Sequence, residues 1–413
     1  MCLAVLAEFA LFGVTHSDDS ALRVYNQHVR SVWKLTIGAR FTMVPPESIY
    51  QFTPDLPICR LLNGLWQVSG GHGRIDPATA IAEMIAYHDT GFTTWDLADH
   101  YGPAEDFIGE FRRRLAARSG PQALAAMQAF TKWVPSPGSM TRQVVERAVD
   151  VSRRRMDTET LDLMQFHWWE YRDLRYLDAL EQLAALRASG KIRHVGLTNF
   201  DTERLKIMLQ RGLPIVSNQV QYSLVDRRPE VAMAPFCQDH GMVLFTYGTL
   251  LGGLLSKRYL NRPEPGSTEL TTVSLRKYKQ MIDAWGGWAL FQELLRAANQ
   301  VAERHNVSIA NVAVRAVLDR PAVAGVIVGA RLGVAEHLAD NARVFAFELD
   351  AEDWAQLDAV QAKSRDLFKV IGDCGDEYRR STSRNLRSVS RASGPAWPRR
   401  WYPPIKQAAR CGQ

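Results

Sequence analysis

Four side chains in the first half of this 413-residue sequence could together move a proton: Asp96, Tyr101, Lys132 and His167. Asp96 and Tyr101 share the stretch D-L-A-D-H-Y-G (96–102), Lys132 closes F-T-K, and His167 closes Q-F-H. A lysine ammonium beside a phenol stabilises the phenolate and lowers its pKa from about 10 toward working pH. A carboxylate at Asp96 would keep the lysine charged and fixed in a partly dry site. A histidine opposite could orient a carbonyl oxygen or share its proton. Tyr101 could then donate to a carbonyl.

Such a set needs strand ends that meet. Short apolar or β-branched runs at 93–96, 128–132, 161–167, 192–198, 215–219, 242–247 and 324–328 read as strands. The apolar run 36–43 falls outside this rhythm, and an eighth strand remains to be located. Amphipathic segments lie between the runs. One follows Asp76-Pro77, an N-cap with proline at the first helical position. Others span 141–156, 178–189 (ending at Gly190), 203–209, 229–240 and 308–318. Strands alternating with helices of this length predict an α/β fold with a parallel sheet closed as a (β/α)8 TIM barrel, whose active site lies at the C-terminal strand ends. An N-terminal β-hairpin cap is predicted at 58–67, with Asn63-Gly64 as its turn.

Charge needs to be located before it is interpreted. The net charge is +6, from 50 Lys+Arg against 44 Asp+Glu. Residues 378–413 hold nine basic residues and no acidic one, so residues 1–377 carry 41 against 44, a net of −3. The basic excess belongs to an Arg-, Ser- and Pro-rich tail expected to be disordered and solvated, and no nucleic-acid partner is expected. The expected organisation is a weakly structured extension at 1–57, the barrel at 58–377 and the tail at 378–413. Five scattered cysteines without zinc spacing fit a reducing compartment, and no metal is expected. No run of 18 apolar residues occurs, so no membrane span is expected. The apolar start, 1–14, lacks a cationic n-region and carries Glu8, which argues against a signal peptide. A cytoplasmic protein, monomeric or weakly oligomeric, is the expectation.

The common nucleotide and hydrolase motifs are missing. No G-x-G-x-x-G opens a helix after a strand. Gly248 and Gly253 have P-loop spacing, but Leu254 stands where lysine is required. Neither H-E-x-x-H nor G-x-S-x-G occurs. His72 and His100 read as loop residues. Trp66, Trp133 and Trp168, with Trp169, read as the lining of an apolar substrate pocket.

Taken together, the segments resemble the aldo-keto reductase superfamily. D-L-A-D-H-Y-G is similar to the family's D-T-A-x-x-Y-G, T-K-W (131–133) to its lysine strand, and L-D-L-M-Q-F-H (161–167) to its histidine strand. G-L-T-N-F (196–200), S-N-Q-V-Q-Y (217–222), F-T-Y-G-T-L (245–250), V-G-A-R (328–331) and A-D-N (339–341) follow in family order over some 300 residues. The resemblance implies Asp96, Tyr101, Lys132 and His167 as a catalytic tetrad. It implies NADPH/NADP+ as cofactor, with Thr198, Asn199 and Gln219 on the nicotinamide carboxamide and Tyr247 stacked on its ring. Gly64, in G-L-W, would approach the cofactor through its backbone. Gly248 and Leu250 would lie along the pyrophosphate, and Gly329, Arg331 and Asn341 at the adenosine phosphate. Thr198 stands where the family has serine, and Gly248-Thr249 where it has Ser-Pro. The loop 251–285 would set substrate choice. The implied activity is reduction of an aldehyde, ketone or 2-oxo acid to the alcohol. The alternative is an NADPH-binding accessory subunit with little turnover.

Overall fold

The computed structural model describes residues 44–70, 75–334 and 337–379. The run 36–43, His72 and the tail from 380 onward lie outside them. Two antiparallel strands, β1 (Ile49–Thr53) and β2 (Leu56–Cys59), precede eight parallel strands. These are β3 (Leu61–Gly64), β4 (Thr94–Asp96), β5 (Gln128–Trp133), β6 (Leu161–Phe166), β7 (Ile192–Thr198), β8 (Ile215–Gln221), β9 (Val243–Tyr247) and β10 (Val323–Gly329). β3 lies between β10 and β4, and this pairing closes the barrel.

Each expected strand is present within a few residues. The eighth is Leu61–Gly64, which the sequence suggested as the end of the hairpin's first arm and its turn. The hairpin exists one segment earlier, Tyr50 opposite Ile58, and turns at Pro54-Asp55. Asn63 and Gly64 are therefore barrel positions in register with Trp95 and Asp96, not a turn. The folded body thus begins inside the expected 1–57 extension.

The crossover helices are α1 (Pro77–Asp89), α2 (Ala104–Ala125), α3 (Arg142–Arg155), α4 (Arg175–Ala188), α5 (Thr202–Gln210), α6 (Met233–Asp239), α7 (Val273–Trp285), α8 (Gly287–Arg304) and α9 (Ile309–Leu318). Local chemistry sets their starts. Asp76 accepts a hydrogen bond from the Thr79 N–H at 2.8 Å, ahead of Pro77. Thr141 caps α3 in the same way, and Ser308 and Asn311 form a reciprocal capping box on α9. α2 bends where Gly120, at φ 77°, precedes Pro121. The segment 251–285 is not a continuous loop: Thr272 caps α7, which fills its last thirteen residues. Three short helices follow, α10 (Leu338–Ala342), α11 (Ala351–Gln361) and α12 (Leu367–Ile371).

The barrel interior is layered. Leu62, Phe130, Leu163, Phe245 and Ala324 pack with Phe52, Leu56 and Ile58 of the hairpin, which plugs the N-terminal end. Side chains on a strand alternate faces, so the residues two positions further along face the same interior. On β3, β5, β6 and β9 they are Gly64, Lys132, Gln165 and Tyr247; on β10 the register is irregular between Val323 and Gly325, and Val326 joins the core between barrel and helices. A dry apolar floor thus lies directly beneath the chemical groups. Among the described residues, no helix is long and apolar enough to cross a membrane.

Candidate active site

Asp96 is the last residue of β4, Lys132 lies in β5 and His167 immediately follows β6. Tyr101 reaches the same place from the turn before α2. Asp96, Lys132 and His167 are each at most 3% exposed. Lys132 Nζ donates to Asp96 Oδ2 at 2.6 Å. The amides of Gln165 and Gln219 donate to Asp96 Oδ1 at 3.0 and 2.7 Å. The carboxylate thus has three donors, which fixes it where burial alone would disfavour its charge. Burial pulls the Lys132 ammonium below its usual range, and Asp96 opposes that pull. Lys132 Nζ stands 5.1 Å from the centre of the Tyr101 ring. Trp66 and His100 pack edge-on against that ring, each at 4.9 Å between centroids, and hold the phenol by contact.

His167 Nδ1 lies 3.0 Å from the Thr198 carbonyl oxygen. That oxygen can only accept, so Nδ1 carries the proton. Burial, helped by the Arg379 guanidinium, lowers the imidazole pKa from 6.5 to about 3. His167 is therefore neutral, and its Nε2 is a buried lone pair with no hydrogen-bond partner among the described residues. Because the folded pKa is depressed, the unfolded chain binds the extra proton between pH 6.5 and about 3. The stability held above pH 6.5 is lost as the pH falls through that window. His167→Gln should flatten the fall in melting temperature between pH 6.5 and 4. An unchanged pH profile would show that His167 is not the group being protonated.

One cavity of about 780 Å³ is lined by Asp96, Tyr101, Lys132, His167, Gly64 and Trp66. Its walls also include Thr198, Asn199, Gln219, Tyr247, Gly248, Leu250, Gly329, Arg331 and Asn341. β7 and β8 supply Thr198 and Gln219, and Asn199, at φ 60°, follows β7. The Tyr247 hydroxyl donates to Asn199 Oδ1 at 2.8 Å. Gly248 has φ 75°, and a Cβ there would meet the Tyr278 ring at 2.9 Å or less, so only glycine fits. Gly64 is required for packing: a Cβ would stand 2.8 Å from Ile327 of β10.

Two of the expected pocket tryptophans lie elsewhere. Trp133 packs on Phe166 at 5.5 Å, and fully buried Trp168 donates to the Glu170 and Asp173 carbonyls. Both belong to the core between barrel and helices. The alternation explains it: Trp133 adjoins inward-facing Lys132 and so faces outward. Conversely, His100 is a cavity residue and not simply a loop residue. Lys277 and Tyr378 also line the cavity without a motif to announce them. Tyr378 and Arg379 were expected in the tail but belong to the folded body: Asp376–Tyr378 is a 3-10 turn.

The fold and the strand-end groups define a class: a parallel (β/α)8 barrel with its ionisable set at the C-terminal rim. The Aldo/keto reductase family matches residues 60–362, and the chain belongs to that family, whose members are oxidoreductases of carbonyl groups using nicotinamide cofactors. The chain is 30% identical over 328 residues to Protein tas of Escherichia coli K12, covering 70% of this chain and 88% of that protein. It is 29% identical over 262 residues to Flagellar radial spoke protein 5 of Chlamydomonas reinhardtii, covering 54% of this chain; it spans about half (49%) of that relative. In fold it is similar to a thermostable aldo-keto reductase crystallised with the inhibitor epalrestat, with TM-score 0.58, 23% identity and coverage of 74% of this chain and 97% of that one.

Proposed function

We propose that the protein reduces an aldehyde, ketone or 2-oxo acid to the alcohol with NADPH, Tyr101 giving the proton to the carbonyl oxygen. The observation that carries this reading is the convergence of Tyr101, the buried Lys132–Asp96 pair and His167 Nε2, without a hydrogen-bond partner among the described residues, on one cavity. Lys132 stabilises the phenolate left when Tyr101 gives up its proton, and Asp96 keeps Lys132 an ammonium. Neutral His167, with its proton on Nδ1, accepts at Nε2 and so suits the hydroxyl of the alcohol that forms.

The residues present fit a dinucleotide. The Gln219 amide nitrogen is committed to Asp96, which leaves its carbonyl oxygen for a carboxamide N–H. Gly248 and Gly329 line the cavity, each with a side chain, the Tyr278 ring or Gln67, packed where its Cβ would be. Thr198, Asn199 and Tyr247 would hold the nicotinamide end, Leu250 would border the pyrophosphate, and Arg331 and Asn341 would hold the adenosine end. Bound NADPH would supply the hydride.

The test is nicotinamide oxidation with a panel of aldehydes, ketones and 2-oxo acids, run with NADPH and NADH. NADPH turnover is expected to dominate; silence across the panel would remove the reductase reading. Arg331 is exposed, as a phosphate ligand at a rim should be. A hydrogen bond to a charged group contributes about 1.5–3 kcal/mol, so Arg331→Ala should raise the NADPH Kd by roughly 10- to 100-fold, with NADH little affected. An equal change for both cofactors would deny Arg331 the 2′-phosphate.

A further inference from the structure

The cavity contains a second lysine–phenol pair that the tetrad does not use. Lys277, from the first turns of α7, is 8% exposed, yet lines the cavity. Its Nζ lies 4.5 Å from the centre of the Tyr378 ring, 5.1 Å from that of Tyr247 and 5.2 Å from that of Tyr278. It donates to the Tyr378 hydroxyl, which also shares a hydrogen bond of 2.9 Å with the Tyr247 hydroxyl. An ammonium has three N–H donors. Among the described residues no carboxylate lies within salt-bridge distance of this one.

The nearby carboxylates are engaged elsewhere. Asp226 holds the buried Arg228 guanidinium through both oxygens at 2.8 Å, and Glu377 meets the same guanidinium at 2.9 Å. The field of Glu377 and Asp226 favours charge on Lys277, opposed by the Arg228 guanidinium, without using up its donors. Burial brings its pKa down to about 8, which leaves it predominantly an ammonium at pH 7. The result is a desolvated cation among aromatic rings, facing a cavity.

Tyr378 is held in position from outside. Glu377 anchors to Arg228, Asp373 Oδ2 accepts from the Thr202 N–H at 2.8 Å, and the Arg379 guanidinium lies 3.9 Å from the Tyr171 ring centre. Its ring stands edge-on to His167, 6.4 Å between centroids. The Tyr378 ring, to whose hydroxyl Lys277 is hydrogen-bonded, therefore neighbours the histidine. The pair is also carried by α7 and the 373–379 segment, not by the strand ends expected to hold the dinucleotide.

We propose that Lys277, positioned by Tyr378, forms a subsite for an oxyanion of the substrate, so that the preferred carbonyl compounds carry a carboxylate or phosphate. This rests on the reductase reading and narrows its substrate class. The subsite would fix the anionic end by a charge-assisted hydrogen bond while the carbonyl meets Tyr101.

The test compares 4-carboxybenzaldehyde and 4-oxobutanoate with benzaldehyde and butanal, under NADPH, for the full chain and its Lys277→Met and Tyr378→Phe variants. Melting temperature and NADPH Kd by fluorescence are measured alongside. In Lys277→Met the ratio of anionic to neutral kcat/KM should fall at least ten-fold, through KM; Tyr378→Phe should lower it by a smaller factor. An unchanged ratio with healthy turnover overturns the subsite alone, as does a parallel fall for both classes, which would make Lys277 structural. A raised NADPH Kd at constant ratio gives the ammonium to the nucleotide and also overturns the proposal. No turnover of any of the four aldehydes overturns the subsite, while the reductase reading is decided separately by the wider panel of aldehydes, ketones and 2-oxo acids.

Discussion

Tyr101→Phe should lower the rate of carbonyl reduction by roughly 10²- to 10⁴-fold, the usual contribution of a positioned general acid, while NADPH binding is retained. The substitution removes one oxygen and keeps the ring. The edge-on contacts from Trp66 and His100 involve that ring, so the local packing should persist. The loss should therefore be in kcat, with the fluorescence-measured Kd for NADPH and the melting temperature near those of the parent. Turnover within ten-fold of the parent would assign the proton to another donor.

The second large effect is on both stability and rate. Lys132→Met leaves the Asp96 carboxylate buried with only the Gln165 and Gln219 amides as donors. Removing one partner of a buried ion pair costs about 3–5 kcal/mol, because the other charge remains without compensation. Asp96→Asn exposes the converse problem: burial already pulls Lys132 toward neutrality, and the carboxylate is what opposes it. A Lys132→Met/Asp96→Asn double variant should recover much of the stability lost by Lys132→Met and none of the activity. Urea unfolding and steady-state rates on the four proteins form a thermodynamic cycle. Additive stability losses would show that the pair is not energetically coupled, and full turnover by Lys132→Met would remove it from the chemistry.

Asp96, Tyr101, Lys132 and His167, which meet at one cavity, were legible because their signals are local: a strand end, then a fixed five-residue step from Asp96 to Tyr101. The helix starts at Pro77, Arg142 and Ile309 were legible for the same reason, since an N-cap is visible within four residues. The eighth strand was not. Asn63-Gly64 has the chemistry of a tight turn, but pairing of Leu61 with Val326 overrides that preference, and the true turn at Pro54-Asp55 has a weaker signature. The outward direction of Trp133 was legible too. Once Lys132 is placed on the interior face, its neighbour must point at the helices. Lys277 carries no such signal. Its surroundings are set by rings from β9, its own helix and the segment after α12, which no window of sequence brings together.

The closure of the barrel also has a consequence for how the protein is made. β3 emerges early in synthesis, but one of its two neighbours, β10, includes residues 323–329. Until these leave the ribosome, β3 keeps a row of unpaired N–H and C=O groups on one side, the kind of edge that recruits other chains. Asp96, Lys132 and His167 are all translated long before the last strand seals the cylinder. A chain truncated before Val323 would therefore contain Asp96, Tyr101, Lys132 and His167 yet present open sheet edges. Premature termination should produce aggregates or chaperone clients, not a smaller enzyme.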